Sequence, residues 1–176
     1  PNPMVPIIAK KACEHIGILF KENKSIRELI LRGEGNKRWG PSLGFALTNL
    51  EENSSLEKLI MRGNAIGDDG AKYLSQALKT NTRLRTLNID ENEIGIDGYI
   101  SLHNVFSTHQ NISLHEFTYP TQDVQTYVQN LDTKISIMYK ESNLFSIPTT
   151  AKISARMESE RQKYSFHELV EEIMAV

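Results

Sequence analysis

The sequence predicts an α/β solenoid of repeated strand-turn-helix units, closed at its C-terminal end by helices. Three observations predict it. An asparagine stands three residues ahead of a branched aliphatic four times, at Asn23/Ile26, Asn53/Leu56, Asn81/Leu84 and Asn111/Leu114, with intervals of 30, 28 and 30 residues. Each aliphatic opens the pattern apolar-x-x-apolar-x-apolar, as Ile26/Leu29/Leu31, Leu56/Leu59/Met61, Leu84/Leu87/Ile89 and Leu114/Phe117/Tyr119. From Val124 onward this pattern gives way to an apolar stripe of helical period.

The first stretch, PNPMVPIIAKKACEHIGILF, reads as a helix already entered, and it begins at Pro1 without a methionine, which makes a piece of a longer chain the expectation. Each apolar pattern is a short strand with one buried side, because alternate side chains of a strand point to opposite faces. In the two middle copies the strand runs into Asn64-Ala-Ile66 or Asn92-Glu-Ile94, then Gly-x-x-Gly, then a helical segment such as the one from Ala71 to Leu78. One such unit cannot bury its strand and helix faces alone, so neighbours stack and share a core. Asn64 and Asn92 stand where the strand turns away and are expected to bond backbone groups that it no longer pairs. Asn23, Asn53, Asn81 and Asn111 fall at helix exits, where a residue tolerant of left-handed backbone is wanted. Asn23, Asn53 and Asn111 also match the N-glycosylation acceptor pattern, but all three occupy the same repeat position and read as structural.

These residues resemble the leucine-rich repeats of the ribonuclease-inhibitor type, found in ribonuclease inhibitors, Ran GTPase activators, NOD-like receptors, tropomodulins and the CARMIL family of actin capping-protein regulators. The resemblance spans about residues 5 to 120. It implies parallel strands on a concave face and helices on a convex face, and leaves function open. The last strand, Asn111 to Pro120, leading through Gln122-Asp123 into an amphipathic helix, resembles the exit from the repeats in CARMIL proteins. That likeness implies a large cytoplasmic scaffold for actin regulators, with helices after the repeats used for dimerisation. The expected organisation is leucine-rich repeats over 1–120 and a helical cap, possible association segment included, over 121–176.

On the exposed side of the strands the repeats stack side chains into columns. Glu28, Lys58, Thr86 and Glu116 form one, Ile30, Ile60, Asn88 and Thr118 the next, and Arg32, Arg62 and Asp90 a third. Two isoleucines beside two arginines make an amphipathic patch suited to an acidic, partly apolar protein partner. The first turn is two residues longer than its counterparts, with Glu34 in place of the asparagine, and it carries the sole tryptophan, Trp39, beside Lys37 and Arg38. Insertions in solenoids map to rim loops that often bind; Trp39 is either an interface residue or folds back onto the helices as packing.

Other chemistries find little purchase. Twenty basic and 22 acidic residues are interspersed, with a formal net charge of -2, so no field favours nucleic acid. A single cysteine, Cys13, excludes an internal disulfide and fits the reducing cytosol. No apolar run approaches the roughly 20 residues of a membrane span. Gly33-Glu-Gly35 is not completed into a nucleotide-binding motif, His103, His109 and His115 lack metal-ligand spacing, and Asp68 and Asp69 sit where carboxylates meet a helix dipole. No nucleophile elbow is present. No enzyme activity, cofactor or metal is expected.

After the repeats, Val124, Tyr127, Val128, Leu131, Ile135 and Met138 form one helical stripe that would cover the open end of the repeats. Pro148 then breaks the chain, with Leu144, Phe145 and Ile147 as anchors. Thr149 to Tyr164 reads as a weaker helix marked by Ile153 and Met157. Ser165 and Glu168 form a capping box, with Tyr164 and Leu169 as its hydrophobic staple. They open a last helix whose Phe166, Leu169, Val170, Ile173 and Met174 pack on the cap, drive self-association or receive another chain. The expected function is a protein-protein interaction module in a cytoplasmic scaffold regulating actin. A tropomodulin-like actin-capping domain and a GTPase-activating domain on the same repeats are the alternatives.

Overall fold

A computed structural model describes residues 4–35, 37–108, 113–144 and 149–175. The expectations placed on His109, Asn111, Phe145, Ile147 and Pro148, and on the side chains of Ile135, Met138, Leu144, Ile153, Met157 and Met174, lie outside the described residues. Four short strands, β1 (Glu28–Ile30), β2 (Lys58–Ile60), β3 (Thr86–Asn88) and β4 (Glu116–Phe117), form one sheet in chain order with every neighbouring pair parallel. Parallel neighbours need a crossover. The crossovers are α2 (Pro41–Ala46) continued by a 3-10 turn (Leu47–Glu52), then α3 (Gly67–Leu78), then α4 (Ile96–Ser107). A helix α1 (Met4–Glu22) precedes the sheet, and α5 (Thr121–Leu144) and α6 (Thr149–Met174) follow it.

The core lies between sheet and helices. Leu59 and Met61 from β2 and its exit, and Leu87 and Ile89 from β3 and its exit, are fully buried with Leu74 and Leu78 of α3 and Tyr99 and Leu102 of α4. The corresponding Ile26, Leu29 and Leu31 around β1 are half-buried, because β1 has a strand on one side only among the described residues.

The recurring asparagines hold successive units together by two devices. Asn64 donates its amide to the carbonyl oxygens of Leu31 at 2.7 Å and Met61 at 3.0 Å, tying two strand exits. Asn92 does the same to Met61 at 2.8 Å and Ile89 at 2.7 Å, and its carbonyl oxygen accepts the Asn64 backbone N–H at 3.0 Å. At the other end of the strands, Asn81 accepts the N–H groups of Arg83 and Leu84, both at 2.9 Å, and donates to Leu50 and Asn53 of the previous unit. Asn53 and Asn23 accept in the same way at their own strand entries.

Left-handed backbone is not the reason for the entry asparagines Asn23, Asn53 and Asn81. Asn53 is extended, at φ -75° and ψ 126°, and among the described residues the positive-φ ones other than glycine are Ala65, Glu91 and Glu93. The entry position selects asparagine for its side chain, which caps the strand entry and reaches the preceding unit.

The capping box expected at Ser165 does not form. α6 runs unbroken through that position and Tyr164 is 68% exposed, so no staple closes. Serine and glutamate three apart also share a face inside a helix, and the packing of Phe166 carries the helix onward. Phe166 is fully buried, its ring centre 5.5 Å from Tyr99 of α4 and 4.3 Å from Tyr127 of α5. Glu172 of α6 meets His103 of α4 at 3.1 Å, and His167 meets the Tyr119 hydroxyl at 2.9 Å.

Candidate functional site

Strand alternation places Glu28, Ile30 and Arg32 on the face opposite the core, and the parallel register sets each beside its counterpart one unit on. Glu28 pairs with Lys58 and Ile30 with Ile60, and the next strand brings Thr86 and Asn88 into the same rows. Ile30 is 53% exposed and Ile60 half-buried, so the isoleucine pair forms a small apolar strip. Lys58 approaches Glu28 at 3.7 Å, closing one end of the strip with an exposed ion pair. At the other end stand Arg32 and Arg62.

The arginines border a cleft of about 320 Å³ at the strand exits, shared with Arg38, Glu34 and Glu91. Its floor is backbone. The Gly33 N–H donates to the Arg62 carbonyl at 2.9 Å, and a β-carbon on Gly33 would stand 2.1 Å from the Gly63 carbonyl oxygen, a distance no atom tolerates. Arg62 donates from Nε to Glu91 at 2.9 Å, and Arg38 pairs with Glu93 across two units. Arg32 is exposed and has no carboxylate partner among the described residues.

Two residues expected on this surface sit elsewhere. Trp39 is half-buried and packs against the core, which is the packing alternative. Asp90 is 6% exposed and accepts three backbone N–H groups, from Glu91 at 2.8 Å, Gln122 at 2.9 Å and Asp123 at 3.2 Å, so it caps α5. Asn88 is half-buried and accepts the Asp90 N–H at 3.1 Å, which ties it to the same turn. Arg38, Glu91 and Glu93 belong to the cleft and were not singled out from sequence. Their signal is a comparison between units, since Glu91 and Glu93 stand where the preceding unit has Gly63 and Ala65.

Asp123, whose N–H Asp90 accepts, reaches with its own carboxylate to the residues after Asp90. Its Oδ1 accepts the Glu93 N–H at 2.8 Å and its Oδ2 accepts the Tyr99 hydroxyl at 3.1 Å. Burial, and then the nearby Asp90 carboxylate, push the Asp123 carboxyl up to about 7, against the opposing pull of hydrogen bonds from Glu93, Tyr99 and Asn92. Burial, followed by Asp123 itself, raises the Tyr99 hydroxyl. Asp68, at the start of α3, accepts the N–H groups of Gly95 at 2.6 Å and Gly98 at 3.1 Å and so also joins α3 to α4. Among the described residues no three histidine, cysteine or acidic side chains gather as metal ligands, and no helix is long and apolar enough to cross a membrane.

Asparagine-tied parallel strands with intervening helices define the class: the chain is a leucine-rich-repeat protein. The family model described as Leucine Rich repeat matches residues 52–75, the stretch that holds β2 and its turn. Its repeats resemble those of the human capping protein, Arp2/3 and myosin-I linker protein 3, at 33% identity over 75 residues, 43% of this chain and 5% of that protein. Rho GTPase-activating protein gacW of Dictyostelium discoideum is 31% identical over 121 residues, 68% of this chain and 11% of that protein. Leucine-rich repeat-containing protein 45 of Gallus gallus is 39% identical over 66 residues, 38% of this chain and 10% of that protein. The chain thus spans about a tenth or less of the curated relatives it matches.

Proposed function

We propose that this chain is a protein-binding module: a solenoid of repeats over residues 1–120, capped by helices over 121–176, serving a cytoplasmic scaffold that regulates actin. The observation that carries the reading is the in-register pair of exposed Ile30 and half-buried Ile60 on the strand face, flanked by Arg32 and Arg62. An aliphatic strip with a charged border is the makeup of a protein contact surface. Glu28, Lys58 and Asn88 extend the surface, while Trp39 supports the rim loop and Asp90 fixes α5 beneath it. The cytoskeletal part of the reading rests on the names of two relatives, a capping-protein, Arp2/3 and myosin-I linker and a Rho GTPase-activating protein.

The test is capture by the whole chain of purified actin capping protein, Arp2/3 complex or a myosin-I tail. Retention of at least one, and its loss in Ile30→Asp/Ile60→Asp, is expected. Retention of none, or retention unchanged in the double variant, sinks the reading.

A GTPase-regulating role is the second reading, favoured by the match to the GTPase-activating relative over 68% of the chain. Accelerated GTP hydrolysis by a Rho-type GTPase in the presence of this chain would establish it in place of the first. Self-association through α6, where Tyr164 is exposed, belongs to the same proposal. Light scattering at high concentration decides it, and a strict monomer removes it.

A further inference from the structure

The charges of the strand-exit cleft are unevenly matched. Arg62 is held by Glu91 at 2.9 Å with Asp90 at 4.0 Å, and Arg38 by Glu93. Both glutamates have left-handed backbone, at φ 65° and 59°, which is unfavourable for a residue with a β-carbon. The preceding unit makes the same turn with Gly63 at φ 80° and Ala65 at φ 54°, so the backbone belongs to the repeat. What the glutamates add there is a carboxylate that reaches an arginine.

The third arginine differs. The Arg32 backbone stands one strand spacing, roughly 5 Å, from that of Arg62, in the row that continues Ile30 and Ile60, and Arg32 has no carboxylate partner among the described residues. Arg32 and Arg62 line one cleft, and two guanidinium forks can share a single carboxylate, each bonding it in planar geometry. Glu34 lines the same cleft and opposes any anion that enters.

We propose that this cleft seats the carboxylate of an acidic side chain from a partner protein, while an aliphatic side chain of the same segment lies on Ile30 and Ile60. The assignment rests on the reading of the strand face as the partner surface. The apolar strip and the arginine row are two residues apart along each strand, roughly 7 Å, so the partner segment carries its aliphatic and acidic side chains at that separation. An extended segment does so with one residue between them.

The experiment is an NMR titration of the whole chain with a short blocked peptide built on Leu-Thr-Glu, compared with its Leu-Thr-Gln counterpart and with sodium acetate. The Glu peptide is expected to shift the amide signals of Gly33 and Gly63 and the Nε–H of Arg32. Arg32→Gln is expected to weaken it about tenfold, in line with loss of a hydrogen bond to a charged group, and Glu34→Gln to tighten it. Arg161→Gln, on exposed α6, leaves it unchanged. Equal shifts with the Gln peptide, equal shifts with acetate, or indifference to both cleft variants overturn the carboxylate seat. If the seat fails while Ile30→Asp/Ile60→Asp still abolishes capture of a partner protein, the surface reading stands without it. If the double variant is also without effect, both fall.

Discussion

Asp123 is the residue where the repeat ends, and its chemistry follows from that position. Inside the repeat, the Asn92 carboxamide accepts the N–H of Asn64 in the preceding unit. At the end, the equivalent acceptor is the carboxylate of Asp123, taking the N–H of Glu93 in a buried setting beside Asp90. The folded carboxyl keeps its proton to about pH 7, against 3.8 for the ordinary group. The folded state therefore binds more protons than the unfolded between those values, and stability falls as pH rises across this window before levelling above it. Asp123→Asn restores the repeat's own acceptor without the charge. It is expected to flatten that slope and to add more than about 1.4 kcal/mol at pH 8, the equivalent of one pKa unit, as read by denaturant melts at pH 5 and 8. The two exit asparagines are also unequal. Asn92 has all its bonds, whereas the Asn64 carbonyl oxygen has no partner among the described residues, the Glu34 N–H having turned to Lys37. Asn92→Ala is expected to cost about 3 kcal/mol and Asn64→Ala less. The roles of Asn64 and Asn92 are legible in their spacing, because contacts between units recur with the period. The exchange between Asp90 and Asp123 is not, because it forms where the period stops and shifts the acceptor by one position.

The elements divide by how far local pattern and packing agree. The apolar strand patterns name their own buried faces, and the columns of exposed residues follow from alternation, so β1 to β3 pair in the expected register. The C-terminal helices are harder, because the Ser165 to Glu168 pattern is ambiguous between a helix start and a helix interior. Packing of Phe166 against Tyr99 and Tyr127 decides it. Ser165→Ala is accordingly expected to change stability by less than about 0.5 kcal/mol, whereas loss of an N-cap costs about 1 kcal/mol. Phe166→Ala is expected to cost about 3–5 kcal/mol. Thermal melts of the two variants measure both. An equal and substantial loss would return the capping box. The rim loop is legible as an insertion and, through Trp39, as a candidate contact, but the Arg38–Glu93 pair is not, since the two meet only through tertiary folding across 55 residues.

Across the whole molecule, burial deepens from β1 inward. Leu59 is completely buried and Leu29, its partner in the sheet, only half so. Leu59→Ala is expected to cost about 3 kcal/mol or more and Leu29→Ala clearly less, which denaturant midpoints of the two variants compare. The same gradient places the exposed isoleucine strip and the arginine cleft on the first two units, while the third presents Asn88 above the buried Asp90. One end of the sheet thus has the chemistry of a contact surface and the other is committed to holding α5. Hydrogen-deuterium exchange of the chain with and without a captured protein partner tests this assignment most directly. Slowed exchange confined to residues 27–40 and 57–64 is the expected result, and protection confined to α1, α3 or α6 would contradict it.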